Sequence, residues 1–360
     1  MTGEFVIAIV KTIVAVSTLM TLAALLTWAE RKQSAVMQDR IGANRAAILG
    51  FRAIGLFHII ADAIKMMTKE DFVPPFANRF IHSLAPFLAI FPAIVAFAAI
   101  PMGDTVTLFG HTVEMRLAPM NIGFLFIFAM ASVTVYAIVL GGWSSNNRFA
   151  MLGAMRAAGQ MISYELALGL AVVGSVMVYG TLDLMEIARA QTGLFAGFLP
   201  NWGIIYQPLG FLLLITASIA ETKRAPFDIP EAESEIIGCF LEYSGMKFGM
   251  FFMAEFVTTV VVAGLVSTLY FGGYQVPYLM ADGFHLPFGL FLVTPAALVP
   301  WLQFGAFWIK VVFFCWLLLT IRWTLPRFRY DQLMHLGWKI LLPLALFNVA
   351  ATGAWILAAA

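Results

Sequence analysis

FVIAIVKTIVAVSTLMTLAALLTWAERK, Phe5 to Lys32, is the stretch that decides the fold. From Phe5 to Trp28 it carries one charge, Lys11, and as a helix it is longer than the roughly 30 Å of a bilayer's hydrocarbon. Glu30, Arg31 and Lys32 follow at once, with no small-residue cleavage site, so the run is read as a retained first span rather than a signal peptide. A backbone crossing lipid must satisfy its own hydrogen bonds, which leaves helices or a closed barrel, and a run of this length is helical. The expected fold class is all-α.

The rest of the chain repeats the pattern. It is 61% hydrophobic and 11% charged, against about 25% charged in an ordinary soluble domain, which excludes a water-soluble fold. Further apolar runs lie near residues 81–101, 119–141, 160–179, 204–220, 249–271, 304–321 and 338–358, giving eight expected spans. Phe284 to Trp301 is apolar but broken by Pro287, Pro295 and Pro300, and reads either as a ninth span or as an interfacial loop. With eight spans, 17 of the 21 Lys and Arg residues fall on one face. A ninth would move the last four across and spoil the bias, so the positive-inside rule favours eight, with both termini outside the cytoplasm.

No repeat or linker divides the chain, so residues 1–360 read as one transmembrane domain with cytoplasmic loops near 29–80, 142–159, 221–248 and 322–337. In the first loop an amphipathic helix is expected from about Ala46 to Lys69, with Asp62, Lys65 and Lys69 on one face, lying in the interface plane. Cys239 and Cys315 stand in no metal or redox spacing, so no metal site is expected. The net charge of +1 gives no indication of nucleic acid.

The densest polar segment is AETKRAPFDIPEAESEIIGCFLEYSG, Ala220 to Gly245, with Glu221, Asp228, Glu231, Glu233, Glu235 and Glu242. Asp228 and Glu231 have capping-box spacing, and Glu231 and Glu235 would share a helix face, where mutual repulsion favours holding a proton. A solvated acidic loop is the plainer reading. The interleaved Pro226, Phe227, Ile229 and Ile236, with Lys223 and Arg224, fit a folded plug better. Glu165 and Glu255 lie inside spans, where a charge costs a few kcal/mol or more, about 2.5–3.5 on insertion scales, and calls for a purpose. Both would extend the carboxylate series into the membrane; packing against a neighbouring helix is the alternative. Lys11 and Lys310, near the opposite span ends, are expected to snorkel. No nucleotide loop, dinucleotide fingerprint or nucleophile triad occurs.

Four strings in this order, AERKQSAVMQDRIG (29–42), ADAIKMMTKE (61–70), GWSSNNRFAMLGAMRAAGQMISYE (142–165) and AETKRAPFDIPEAESE (220–235), resemble the H-subunit family of proton-pumping NADH–quinone oxidoreductase, respiratory complex I. The resemblance covers nearly the whole chain. It implies eight spans and a subunit of a quinone reductase with no complete active site of its own. It implies quinone as substrate, FMN and iron–sulfur clusters held by partner subunits, and contact with a soluble quinone-reducing arm and neighbouring membrane subunits. By motif match, Arg31, Arg40, Asp62, Lys65, Arg224, Phe227, Arg322 and Arg327 would bind quinone or flank its channel. Glu165, Glu221, Glu231, Glu233, Glu235 and Glu255 would couple its reduction to proton movement. Ala43-Asn44 and His58-Ile59 stand where the family usually has Pro-Asn and Gln-Pro, near the expected quinone entrance. The corresponding component of a membrane-bound hydrogenase and a secondary ion transporter are the rival readings. The expected location is a bacterial inner membrane, with a mitochondrial one as the alternative.

Overall fold

The computed structural model describes residues 2–108, 111–195, 198–229, 238–280, 283–286, 290–295 and 297–359. Helix α1 (Thr2–Met37) is 36 residues long, about 54 Å at 1.5 Å per residue. It continues through AERKQSAVM, a segment expected as loop, because these are good helix formers and extending a formed helix needs no new nucleus. Helix α2 (Phe57–Thr68) is shorter than the expected Ala46–Lys69 helix. The cause is a knuckle in which Leu49, Gly50, Ala53, Ile54 and Gly55 all take positive φ. A Cβ at Gly55 would fall 2.0 Å from the Ala43 carbonyl oxygen, so only glycine fits. Trp28 Nε1 donates to the Ile54 carbonyl at 3.1 Å and ties the knuckle to α1. Lys69 therefore sits past the end of α2, off the face carrying Asp62 and Lys65.

Helix α3 (Arg79–Ala96) starts where the Asn78 side chain accepts from the Ile81 amide, and it contains Pro86 and Pro92. Helix α4 (Gly123–Ser144) follows. Helix α5 (Arg148–Tyr179) is capped by Asn147 and ends at Gly180 with φ +70°. It begins well before the expected span at 160, so most of the 142–159 loop is helix; Asn147 supplies the start signal. The short α6 (Leu184–Ala190) and α7 (Gly203–Tyr206) precede α8 (Pro208–Glu221). Then come α9 (Gly245–Tyr270) and α10 (Val299–Thr324). Helix α11 (Tyr330–His335) runs through a π-helical stretch, Leu336–Leu341, into α12 (Leu342–Ala359).

Among the described residues, seven rods are long and apolar enough to cross a membrane: Phe5–Met37, Arg79–Ala99, Gly123–Ser144, Arg148–Tyr179, Gly245–Tyr270, Val299–Thr324 and Tyr330–Ala359. The run at 204–220 is not one helix. Pro208 lacks the amide that would continue α7 into α8, and α8 alone has 14 residues, about 21 Å. Helix α9 is the axis of the bundle, buried along most of its length.

The connections at one end of the bundle, here the far end, carry small antiparallel pairings that modify the all-α expectation. They are β1 (Thr105–Leu108) with β2 (His111–Glu114), β3 (Leu194–Phe195) with β4 (Leu199–Pro200), and a sheet of β5 (Leu279–Met280), β6 (Gly283–Leu286) and β7 (Leu290–Val293). The last two strands take up the front of Phe284 to Trp301, which is therefore a hairpin leading into α10 rather than a ninth span. Arg116 locks this end: its Nη1 donates to both Asp183 carboxylate oxygens at 2.8 Å and its Nε to Glu114 at 2.7 Å. Burial alone would lower this guanidinium's pKa, but the two carboxylates outweigh it and raise it.

Lys310 does not snorkel. Its ammonium donates to the carbonyls of Phe271, Gly273 and Gln275 at 2.7, 2.9 and 2.6 Å, closing the C-terminal end of α9, where a cation is favoured.

Candidate functional site

The opposite end, where the basic residues gather, holds three connected features. The first is an apolar slot between α1, α2 and α9. Met20 on α1, Met66 and Met67 on α2, and Met246, Met250 and Met253 on α9 line it. Thioethers on three rotatable bonds make such a wall adaptable to a flat or branched apolar molecule. Asp62 is the charged side chain in this lining.

Asp62 leads to the second feature. It accepts from Arg31 at 2.6 Å and pairs with Lys65 at 3.5 Å. Arg31 also lines an opening on the surface beside Ser34, Arg40 and His58. Arg40 bonds Gln38 at 2.7 Å and, among the described residues, joins no other expected site residue by a hydrogen bond or ion pair. One residue before Arg31, Glu30 turns inward. Its carboxylate holds Arg322 at 2.7 Å and Arg224 at 3.5 Å, and Arg224 lies 3.9 Å from Glu255. Among the described residues, two glutamates and two arginines thus meet in a buried cluster assembled from α1, α9, α10 and the loop after α8. The Arg224 guanidinium also stacks over the Phe256 ring, 3.9 Å from its centre.

The third feature is a cavity between α3, α4, α8 and α9, lined by Glu221, Lys223 and Glu255 among apolar side chains. Ala89, Ala93 and Ala96, with Pro92, make the α3 wall: small side chains and a proline-broken hydrogen-bond ladder leave room there. Glu165 accepts a hydrogen bond from Ser132 of α4 and lies close enough to act on the charge of Glu221.

The described start of the loop after α8, residues 222–229, packs onto the bundle. Phe227 is buried between Tyr164 (ring centres 5.6 Å apart) and Phe328 (5.5 Å, near-parallel), and it does not line the slot. Gln160 donates to the Ala220 and Phe227 carbonyls at 2.7 and 2.8 Å. Arg327 donates to the Asp228 carbonyl at 2.6 Å, so the α10–α11 connection clamps this loop. Glu231, Glu233 and Glu235, and the helix and capping box expected there, lie outside the described residues. The structure thus gathers Arg31, Asp62 and Lys65 at the slot, Arg224, Arg322 and Glu255 in the ion cluster, and Glu221 and Glu255 at the cavity, with Glu165 near Glu221.

Glu30 and Gln160 are the residues that sequence reasoning passed over. Glu30 was hidden by the basic residues after it; an acid on the last apolar turn of a span, facing two arginines elsewhere, was the available signal. Among the described residues no group of three or more His, Cys, Asp or Glu is placed to hold a metal.

The family model for NADH dehydrogenase matches residues 10–353. The chain is 45% identical over 339 residues to an H subunit of the NADH-quinone oxidoreductase of Geobacter metallireducens, covering 94% of this chain and 92% of the relative. It is 43% identical over 332 residues to the corresponding protein of Cytophaga hutchinsonii, covering 92% and 91%. Against that of Thermomicrobium roseum it is 44% identical over 344 residues, covering 94% and 93%. With its bundle of membrane-length helices and likeness over nearly the full length of these relatives, the chain belongs to the NADH dehydrogenase family as an H subunit of NADH-quinone oxidoreductase, the membrane part of an enzyme complex.

Proposed function

We propose that this chain forms part of the quinone chamber of the complex and couples quinone reduction to proton translocation across a bacterial inner membrane. One observation carries the reading: Asp62 lines the apolar slot and pairs with Arg31, and the adjacent Glu30 begins the ion cluster that ends on Glu255 in the cavity wall. A lipid-borne redox carrier and a set of membrane carboxylates are thereby joined through neighbouring side chains.

The quinone enters from lipid along the methionine slot and is reduced to quinol by two electrons from partner subunits, which hold the flavin and iron–sulfur clusters, and two protons. Arg31 and Lys65 favour negative charge on the head group. Any shift of Arg31 toward that charge loosens its hold on Asp62 and disturbs Glu30 beside it. Arg224 stands between Glu30 at 3.5 Å and Glu255 at 3.9 Å, so its movement carries a disturbance at Glu30 to the carboxylate in the cavity wall. Glu221 and Glu255 face the cavity, Glu165 stands near Glu221, and Glu231, Glu233 and Glu235 are assigned to the same carboxylate series. Arg40 guards the mouth. Phe227 and Arg327 hold the loop that positions Arg224. In this reading the chain is one domain of eight spans, with α7 and α8 together as the broken one, and α2 lies in the membrane interface.

A photoreactive quinone analogue applied to the assembled complex tests the slot. Labelling is expected on peptides containing Met66 and Met246 to Met253, and it should weaken in Arg31→Met. Labelling confined to other segments, unchanged by that substitution, would overturn the reading.

A further inference from the structure

At the far end of the bundle, α5, α8, α9 and α12 meet around polar side chains that the quinone reading leaves unused. Gln207, at the break between α7 and α8, donates Nε2 to Thr352 Oγ1 at 2.7 Å and accepts from Asn348 Nδ2 at 2.9 Å. All three residues are buried. Around them stand the hydroxyls of Ser175, Tyr179 and Tyr270, shielded from solvent and, among the described residues, outside hydrogen-bond geometry with any partner. Ser175 is 1% exposed and Tyr270 0%, and their hydroxyls lie near each other.

Glycines allow the cluster to close. A Cβ at Gly174 would fall 2.7 Å from Gln207 Oε1 and 2.8 Å from Asn348 Nδ2; one at Gly210 would fall 3.1 Å from the Tyr270 hydroxyl and 3.2 Å from Gln207 Oε1. A buried hydroxyl without a partner bears an uncompensated desolvation cost, which phenylalanine or alanine would avoid. Three at one place, beside an amide pair, make the polar lining that ordered water requires, with two to four partners per molecule.

The placement along the helices adds direction. Helix α5 carries Glu165 and, about 15 Å further on, Ser175; α8 carries Glu221 at its end and is preceded by Gln207, about 21 Å away; α9 carries Glu255 and, about 22 Å on, Tyr270. Helices α5 and α9 thus hold a carboxylate toward one face and a hydroxyl of the cluster toward the other, and α8 runs from beside Gln207 to Glu221.

We propose that this cluster binds a chain of water molecules and carries protons between the carboxylate cavity and the far face of the membrane. Each oxygen accepts a proton on one side and releases one on the other, so no group is consumed. The proposal rests on the coupling reading above.

The test uses the assembled complex. A map that resolves ordered water should show water bridging the Tyr270 hydroxyl to Ser175 or Gln207. In vesicles, Ser175→Ala with Tyr270→Phe should lower the protons moved per quinone reduced while uncoupled quinone reduction persists. Thermal stability should change little, since the double variant removes both hydroxyls of a pair that meets no other hydrogen-bond partner among the described residues. A dry cluster, or an unchanged proton ratio in the double variant, would overturn the proposal. Glu255→Gln run alongside separates the two ideas: if it stops pumping while the double variant pumps normally, the water chain fails and the carboxylate reading stands; if both pump normally, both fail.

Discussion

Replacing Glu30 by glutamine takes away the carboxylate that Arg322 holds at 2.7 Å and Arg224 at 3.5 Å. The side chains of Arg224, Glu30 and Arg322 are only 5%, 11% and 18% exposed, so water cannot replace the lost charge. At an effective dielectric of about 20, each such pair attracts by about 5–6 kcal/mol. Part of that offsets desolvation that the arginines still bear in the variant. Breaking a buried pair from one side costs about 3–5 kcal/mol, a hundredfold or more in rate if all of it falls on the unfolding barrier. The assay is the heat-inactivation half-life of the assembled complex, where unfolding is irreversible and a rate is the meaningful quantity. Glu30→Gln should shorten it sharply. Adding Arg322→Met should recover part of the loss, with a coupling of about 1–3 kcal/mol. A half-life unchanged by Glu30→Gln, or losses that add to within about 0.5 kcal/mol, would refute the account of this cluster.

Two further outcomes are expected. Gly55→Ala forces a Cβ against the Ala43 carbonyl at a left-handed φ and should cost more than about 1 kcal/mol; limited proteolysis should then cut faster between residues 43 and 56. Arg116→Gln leaves the Asp183 carboxylate without the guanidinium that holds both its oxygens, and should cost about 3 kcal/mol in thermal stability with no change in quinone KM.

Hydropathy made seven of the spans legible because lipid demands long apolar runs, and the pairing of residues 283–286 with 290–293 makes the front of Phe284 to Trp301 extended chain rather than a spanning helix. The break at Gln207–Pro208 was harder to see, since GIIYQPLGFLLL stays apolar across it and composition hides where a helix stops. The start of α2 was hidden for a related reason: residues 46–56 are apolar enough for a helix, and only the contact of Gly55 with Ala43, a tertiary fact, excludes it. The slot was partly legible through Asp62, which lines it, and through Arg31 and Lys65, which pair with Asp62 and belong to the same polar segment after the first span. The ion cluster was not, because Glu30, Arg224, Glu255 and Arg322 come from four separated segments and their pairing depends on how the helices are arranged. The hydroxyl cluster lay deeper still: Ser175, Tyr179 and Tyr270 are ordinary residues for helix ends and gain meaning only from having no partner.

The most direct test of the coupling claim is the number of protons moved per quinone reduced in vesicles holding the assembled complex with Glu255→Gln. The carboxylate joins the ion cluster to the cavity, so its loss should either stop turnover or leave quinone reduction running with fewer protons moved. Quinone reduction at the parental rate with the parental proton ratio would contradict the account.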